Sequence, residues 1–170
     1  YNFHPHQFGG ISVNVNGLTG TDKYRNVLIE GNRVENVGRT GIVVWDHIFA
    51  KYDEACTGVR IRKNSVKDID SDGILTYGCD GALIEHNVAD GCGSYREDGG
   101  FNGSAAIWCT RGSNCIIQYN EAFNTHMLEG NADGTAFDID IDAIDCIVQY
   151  NYSHDNEGGF MLFIDASNSS

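Results

Sequence analysis

The chain has 170 residues, with 21 glycines, one proline and a formal net charge of −13 at pH 7. A charge this negative argues against nucleic acid and anionic membrane surfaces as partners, because both are themselves polyanions. The length suffices for one domain with its own core, and no apolar stretch is long enough to span a membrane.

The first 26 residues predict one partial strand and a polar surface loop. Ile11, Val13 and Val15 alternate with polar residues, which is typical of a strand with one buried face. His4 and His6 flank the only proline at positions i and i+2. They could face the same way and bind a metal or a substrate, but we interpret this segment as a polar loop.

From Val27 onward, a short apolar strand that ends in asparagine recurs five times. The spacings between these asparagines are 32, 23, 33 and 31 residues. Asparagine tolerates left-handed turns, and stacked copies can bond one another, so we expect a structural ladder. The copies VLIEGN, VRIRKN, ALIEHN, CIIQYN and CIVQYN end at Asn32, Asn64, Asn87, Asn120 and Asn151.

A second strand follows each asparagine strand and begins with a small residue. Self-similarity at periods of 20 to 50 residues indicates a solenoid. Short strands, polar turns and no helical pattern favour a parallel β-helix. The second strands are Gly41–Trp45, Gly73–Tyr77, Ala106–Thr110, Ala136–Asp140 and Gly159–Phe163.

This repeat resembles the right-handed parallel β-helix superfamily of carbohydrate-active proteins, which includes pectate lyases and polygalacturonases. The resemblance runs from about Val27 to Phe163. It implies an all-β solenoid of about five to six rungs, as a single domain over residues 1–170. The sequence shows no capping repeat, and a solenoid needs its end rungs covered. We therefore expect a fragment of a longer chain, or ends that stack on flanking rungs or on other chains.

Segments between the strands are compact turns or long insertions. We expect turns at 35–40 and 68–72, with Asp70 and Asp72 as turn residues. The insertions cover 46–58, 91–104 and 124–134. Insertions in solenoids tend to cluster on one face, often the binding face.

The second strands predict an unusual outward face. Alternation places Ile42, Ile74, Ile107, Phe137 and Phe160 inside, so Trp45, Tyr77, Trp108 and Phe163 point outward. We expect this face to be wet, and an exposed apolar patch of this kind marks a binding site. Flat aromatic rings suit the apolar faces of sugars. In the alternative, loops or a neighbouring domain cover the aromatics.

Asp138 and Asp140 are the candidate catalytic pair. At i and i+2 on one strand face their Cα atoms lie about 6.6 Å apart. Their carboxyls can therefore span the range of about 5 to 9 Å that retaining and inverting glycosidases use. Two alternatives remain: calcium held by Asp133, Asp138 and Asp140, or a solvated acidic strand face.

Residues near this face could contact the substrate from its rims. These are Arg111, His126 in the insertion before Asp138, and Glu97 and Asp98 in a glycine-rich insertion. The polygalacturonase elements Gly-His-Gly and Arg-x-Lys are absent. A calcium-dependent lyase would need a basic residue as its base, and only Arg96 and Arg111 are close.

The six cysteines show no Cys-x-x-Cys spacing, which argues against zinc. Cys115 and Cys146 occupy the same repeat position, so we expect buried thiols that stack on neighbouring rungs. A disulfide between them is a minor alternative.

The resemblance implies a glycoside hydrolase that acts on an extracellular polysaccharide, at the cell surface, in the periplasm or outside the cell. The net charge favours a neutral polysaccharide unless calcium bridges a charged one. The hydrolase needs no cofactor, although calcium is possible. The alternatives are a calcium-dependent polysaccharide lyase and a non-catalytic adhesin, fibre or carbohydrate-binding module.

Overall fold

The computed structural model describes residues 5–15, 23–46, 56–94, 104–128 and 133–164. Within these ranges the regular structure is β-strand, apart from one turn of 3₁₀ helix at Pro5–Gln7. No helix there is long and apolar enough to cross a membrane. The strands pair in parallel, which confirms the prediction of an all-β parallel solenoid.

Each rung contributes one short strand to each of three sheets, numbered here in chain order. The first sheet contains Gly9–Val15 (β1), Thr40–Asp46 (β4), Ile74–Tyr77 (β8), Ile107–Thr110 (β12), Thr135–Ile139 (β15) and Gly159–Phe163 (β18). The second contains Leu28–Glu30 (β2), Arg60–Arg62 (β6), Leu83–Glu85 (β10), Ile116–Gln118 (β13) and Ile147–Gln149 (β16). The third contains Arg33–Val37 (β3), Ser65–Ile69 (β7), Val88–Cys92 (β11), Glu121–Phe123 (β14) and Tyr152–His154 (β17). Cys56–Thr57 (β5) and Cys79–Asp80 (β9) form a small fourth sheet.

The third sheet corrects the expected turns at 35–40 and 68–72. Strands β3 and β7 extend through Val37 and Ile69 and pair with each other in register. Val34 and Val66 point into the core at matching positions, so the chain gains both a backbone ladder and apolar burial by remaining extended.

The core is a column of aliphatic side chains that runs along the solenoid axis. Ile42, Ile74 and Ile107 occupy paired positions of the first sheet and are fully buried. Ile61 and Ile84 do the same in the second sheet. Because paired positions repeat on every rung, one apolar residue per strand produces a continuous core.

The asparagine ladder is confirmed and lies at the corner between the second and third sheets. The side-chain amide of Asn64 donates to Asn87 Oδ1 at 3.0 Å and to the carbonyl of Ile29 at 3.0 Å. Its backbone N–H also donates to Asn87 Oδ1. The same pattern links Asn87 to Asn120 and Asn120 to Asn151.

The last strand differs from its predicted register by one residue. Phe137 pairs with Met161, and Asp138 pairs with Leu162. Met161 therefore packs against the core, and Leu162, not Phe163, continues the outward column of Asp138. The extra residue of the Gly158–Gly159 pair shifts the alternation, because Gly159 aligns with Thr135.

We expect Asn87→Ala to lower the free energy of unfolding by about 2–4 kcal/mol. The substitution leaves buried hydrogen-bonding groups on two neighbouring rungs without their partner. Urea denaturation would measure the loss. Asn32→Ala is the matched control: Asn32 is only partly buried and accepts none of the ladder hydrogen bonds. Equal losses in the two variants would contradict the ladder as the source of the effect.

Candidate active site

The outward-facing residues of the first sheet form two columns, and each column consists of residues that pair across neighbouring strands. Both columns lead to a group of carboxyls. In the first column, Val43 pairs with Leu75, Leu75 with Trp108, and Trp108 with Asp138. The second column runs from Trp45 through Tyr77 to Thr110. The strand register therefore places Asp138 directly beside Trp108.

The expectation that this face is wet is wrong. Trp45 and Trp108 are only 3% and 7% exposed, and Val43 and Leu75 are fully buried. Together with Ala105 they form a second apolar cluster outside the main core. The alternative that the aromatics are covered is therefore correct for Trp45 and Trp108, because leaving so much apolar surface in water would be unfavourable. Tyr77 is partly exposed, and Phe163 is 70% exposed. Trp108 is a buried wall, not an open platform.

Tyr77 connects this wall to the acidic end of the face. Its ring stacks on Trp45 with 3.9 Å between ring centroids, and the Arg111 guanidinium lies 5.6 Å from its centroid. Trp45 is on the rung before Tyr77, and Arg111 is on the rung after it. Tyr77 is partly exposed, whereas Trp45 is buried.

Asp138 is a buried acid. It is 3% exposed, and its Oδ1 finds no hydrogen-bond partner among the described residues. Burial raises the pKa of Asp138 to about 8, and the negative charges of Asp140, Asp133 and Asp72 add to that shift. Asp138 therefore holds a proton at neutral pH.

Asp133 and Asp140 lie at the two ends of β15 and are both partly exposed. Burial and the charge of Asp140 raise the pKa of Asp133 to about 6. Burial also raises the pKa of Asp140, but the Ile141 N–H, which donates to Asp140 Oδ1 at 2.7 Å, opposes the shift. The positive charge of Arg111 opposes it as well.

Asp72 and His6 complete the site, and neither was predicted there. Asp72 is fully buried instead of capping an exposed turn. It accepts hydrogen bonds from the Trp108 indole N–H at 2.9 Å and from His6 Nδ1. The His6 ring also meets Trp108 edge to face, with 5.8 Å between centroids. We define the carboxyl cluster as Asp72, Asp133, Asp138 and Asp140.

One sequence signal could have identified Asp72. It directly precedes Gly73, at the start of a second strand, and the equivalent residue before Gly41 is Thr40. Thr40 is also buried, and its hydroxyl donates to Asp72. A polar residue immediately before these glycines therefore faces the site, not the solvent.

The remaining predicted rim residues have different outcomes. His126 faces Glu157, with Nδ1 3.7 Å from Oε1, in a polar groove of about 430 Å³ that also contains Lys67 and Asp90. Glu97 and Asp98 lie outside the described residues. Their substrate-binding roles stay predictions.

Calcium at Asp133, Asp138 and Asp140 also stays a prediction. In the part of the chain that the structure describes, one group of three metal-ligating side chains has all its ligand atoms within 4.8 Å of one another. That group is not carboxylic: it consists of Cys109, Cys115 and Cys146. These thiols are free. Cys115 is buried as predicted, whereas Cys146, for which burial was also predicted, is only partly buried.

Comparison with known proteins places the chain in a family. A family model described as the right handed beta helix region matches residues 25–170. The chain is 34% identical to a lacto-N-biosidase of Bifidobacterium longum subsp. longum over 161 aligned positions. That match covers 79% of this chain and 10% of the relative.

Solved structures show the same similarity. Two structures of a GH136 lacto-N-biosidase from Eubacterium ramulus, a selenomethionine derivative and the native protein, match with TM-scores of 0.75 and 0.74. Their identities to this chain are 30% and 29%, over 86% of this chain and 26% of theirs. The chain thus spans about a quarter of the solved relative.

The architecture and the matched residues define the class of protein: a parallel β-solenoid with an acidic site on its first sheet. The chain belongs to the right-handed β-helix family.

We expect the free energy of unfolding to fall as the pH rises from about 4 to about 8. Asp138 has a pKa of about 8 in the folded protein and an ordinary value of 3.8, so over this range the folded state holds a proton that the unfolded chain releases. Asp138→Asn should flatten this dependence and stabilise the protein at pH 8 by at least about 1.4 kcal/mol, the equivalent of one pKa unit.

Urea denaturation at pH 5 and pH 8 would measure the difference. Asp145→Asn, which exchanges an exposed aspartate, is the matched control. An unchanged pH slope in Asp138→Asn would show that this carboxyl is ionised in the folded protein.

Proposed function

We propose that this chain provides the catalytic face of a glycoside hydrolase. The observation that carries the proposal is a pair of partly exposed carboxyls at the two ends of β15, held in different electrostatic surroundings. Glycosidases need one protonated and one ionised carboxyl at the bond that they cleave. Asp133 has a pKa raised to about 6, whereas Arg111 and the Ile141 N–H oppose the rise in the pKa of Asp140. Both side chains are partly exposed.

In this proposal Asp133 is the general acid. Its pKa of about 6 lets it hold a proton in mildly acidic solution and release it to the leaving sugar oxygen. Asp140 is the ionised carboxylate that acts as nucleophile or as base toward water. Arg111 and the Ile141 N–H favour its charged form. Water supplies the hydroxyl that ends on the anomeric carbon.

Asp138 then has a different role from the one that its sequence position predicted. A side chain that is 3% exposed has little access to a glycosidic oxygen, whereas Asp133 and Asp140 on either side are accessible. We assign Asp138 to the floor of the site, where its carboxyl influences the two catalytic groups. The alternative, which mutation can separate, is the pair that the sequence predicted, in which Asp138 and Asp140 are the two catalytic carboxyls.

The substrate in this proposal is an oligosaccharide or polysaccharide. The similar proteins from B. longum and E. ramulus are lacto-N-biosidases, so a lacto-N-bioside is the first substrate to test. Arg111, whose charge acts on Asp140, and Tyr77, against which Arg111 packs, are proposed to contact sugar hydroxyls. An extracellular or cell-surface location is part of the same proposal.

We expect the purified protein to hydrolyse an aryl lacto-N-bioside. Asp140→Asn should lower kcat by at least about 100-fold on any substrate, because it removes the ionised carboxylate. Asp133→Asn should lower kcat by a similar factor on an oligosaccharide but much less on an aryl glycoside, since a good leaving group needs little protonation. Release of the aryl alcohol and of reducing sugar would measure both.

Two controls sharpen this experiment. Asp138→Asn should retain most of kcat and shift the pH profile; loss of activity there with a fully active Asp133→Asn would make Asp138 the acid instead. EDTA treatment should leave the rate unchanged, whereas a loss restored by added calcium would support the calcium alternative.

A further inference from the structure

We propose that Asp72 and His6 form a buried charged pair that positions Trp108 and presents a positive charge to the two catalytic carboxyls. This inference rests on the proposed function, because it assigns a task to residues around the same site. Both are positioning residues in this scheme: they act through Trp108, Asp133 and Asp140 and are not themselves the reacting groups.

The contacts of Asp72 exceed what a turn residue needs. One carboxyl oxygen accepts from the Trp108 indole at 2.9 Å and from the Ala105 N–H at 3.3 Å. The other accepts from His6 and from two hydroxyls. A buried polar group is costly unless it is hydrogen-bonded, and here both carboxyl oxygens have donors. The donors are His6, Thr40, Ser71, Ala105 and Trp108.

These donors come from different rungs, so Asp72 ties separate parts of the chain together. His6 is 66 residues away in sequence and belongs to the segment that starts with the 3₁₀ turn. Trp108 is 36 residues away in the opposite direction, on β12. Asp72 therefore fixes the rotation of the Trp108 ring relative to the N-terminal segment that covers it.

The orientation of Trp108 is coupled to the acids by the strand register. Trp108 pairs with Asp138, whose neighbours along β15 lead to Asp140. An indole that donates to a buried acceptor is held in one orientation. A Trp108 ring fixed in this way beside the reacting groups favours a single orientation of the bound substrate. Without the acceptor, the indole N–H would be left buried and unpaired.

His6 supplies the positive charge of the pair. Burial opposes its protonation, but the charge of Asp72 and their hydrogen bond outweigh burial and raise the pKa of His6. Among the described residues, the charges that raise the pKa of His6 are those of Asp72 before β8, Asp133 before β15 and Asp140 after β15. The imidazolium in turn lowers the pKa of both Asp133 and Asp140.

The first experiment replaces His6 by glutamine, which keeps a hydrogen-bond donor but not the charge. Without the imidazolium, both catalytic carboxyls become weaker acids. The whole pH profile of kcat/KM on the aryl glycoside should therefore move to higher pH, by about half a unit or more. A purely structural role of His6 would lower the activity without moving the profile.

The second experiment replaces Asp72 by asparagine and follows the indole N–H resonances by NMR. The chain has two tryptophans, so two signals are expected, and only that of Trp108 should move upfield. An amide has one acceptor oxygen, so it cannot serve both Trp108 and His6. We expect kcat to fall by at least about 10-fold because the wall is no longer fixed.

Asp80→Asn is the matched control, since Asp80 also accepts two side-chain hydrogen bonds, from Ser113 and Asn114, but at another corner of the solenoid. It should move neither the pH profile nor the indole signals. An unmoved pH profile in His6→Gln would overturn the electrostatic role, and an unmoved Trp108 signal in Asp72→Asn would overturn the positioning role. The NMR measurement needs no activity, so it stands even where Asp133→Asn and Asp140→Asn show that the proposed catalytic pair is wrong.

Discussion

Parallel stacking of rungs is the constraint on which this structure depends. Neighbouring strands lie about 4.8 Å apart, and each backbone ladder fixes which residues stand side by side. The asparagine ladder adds a side-chain ladder that reaches two rungs at once, since each inner amide bonds the next asparagine and a carbonyl of the preceding rung. A slip of one residue on any rung would break this network and turn core residues outward.

The site forms where one outward column of the first sheet passes from apolar side chains to a carboxyl. Val43, Leu75 and Trp108 are apolar, and the next paired residue is Asp138. The apolar part excludes water from the neighbouring acid, and this desolvation raises the pKa of Asp138. The repeat thus supplies the apolar column of the wall, and His6, from the N-terminal segment, packs against its last member, Trp108.

The periodic features were predictable from the sequence, and the features that depend on distant segments were not. The ladder asparagines and the inward isoleucines recur at the same place in every rung, so local alternation was sufficient to identify them. His6, which packs against Trp108, is remote in sequence and lies in an N-terminal segment outside the repeat. The position of Asp72 before Gly73 indicates which way it faces, but its neighbours in sequence do not show that donors from other rungs converge on it.

Two smaller differences have local causes. The predicted register of β18 was wrong because two glycines, Gly158 and Gly159, stand at its start, and alternation cannot show which of the two begins the strand. Parts of β3 and β7, in the third sheet, were predicted as turns because these strands are short, polar on their outer face and contain residues with positive φ, Asn36 and Asp68. Such residues normally indicate turns, but here they lie in or next to a strand.

The charge of the site follows from the same geometry. Four carboxyls lie near one another, while His6 and Arg111 are cations that act on them. Four negative charges could not all be held in a partly dry face, so the arrangement favours retention of protons on some of the carboxyls. The most buried, Asp138, retains a proton most strongly, and Asp133 does so less strongly. Of the three carboxyls on or next to β15, Asp140 is the one whose charged form Arg111 and the Ile141 N–H favour. This difference between the carboxyls is the asymmetry that acid–base cleavage of a glycosidic bond requires.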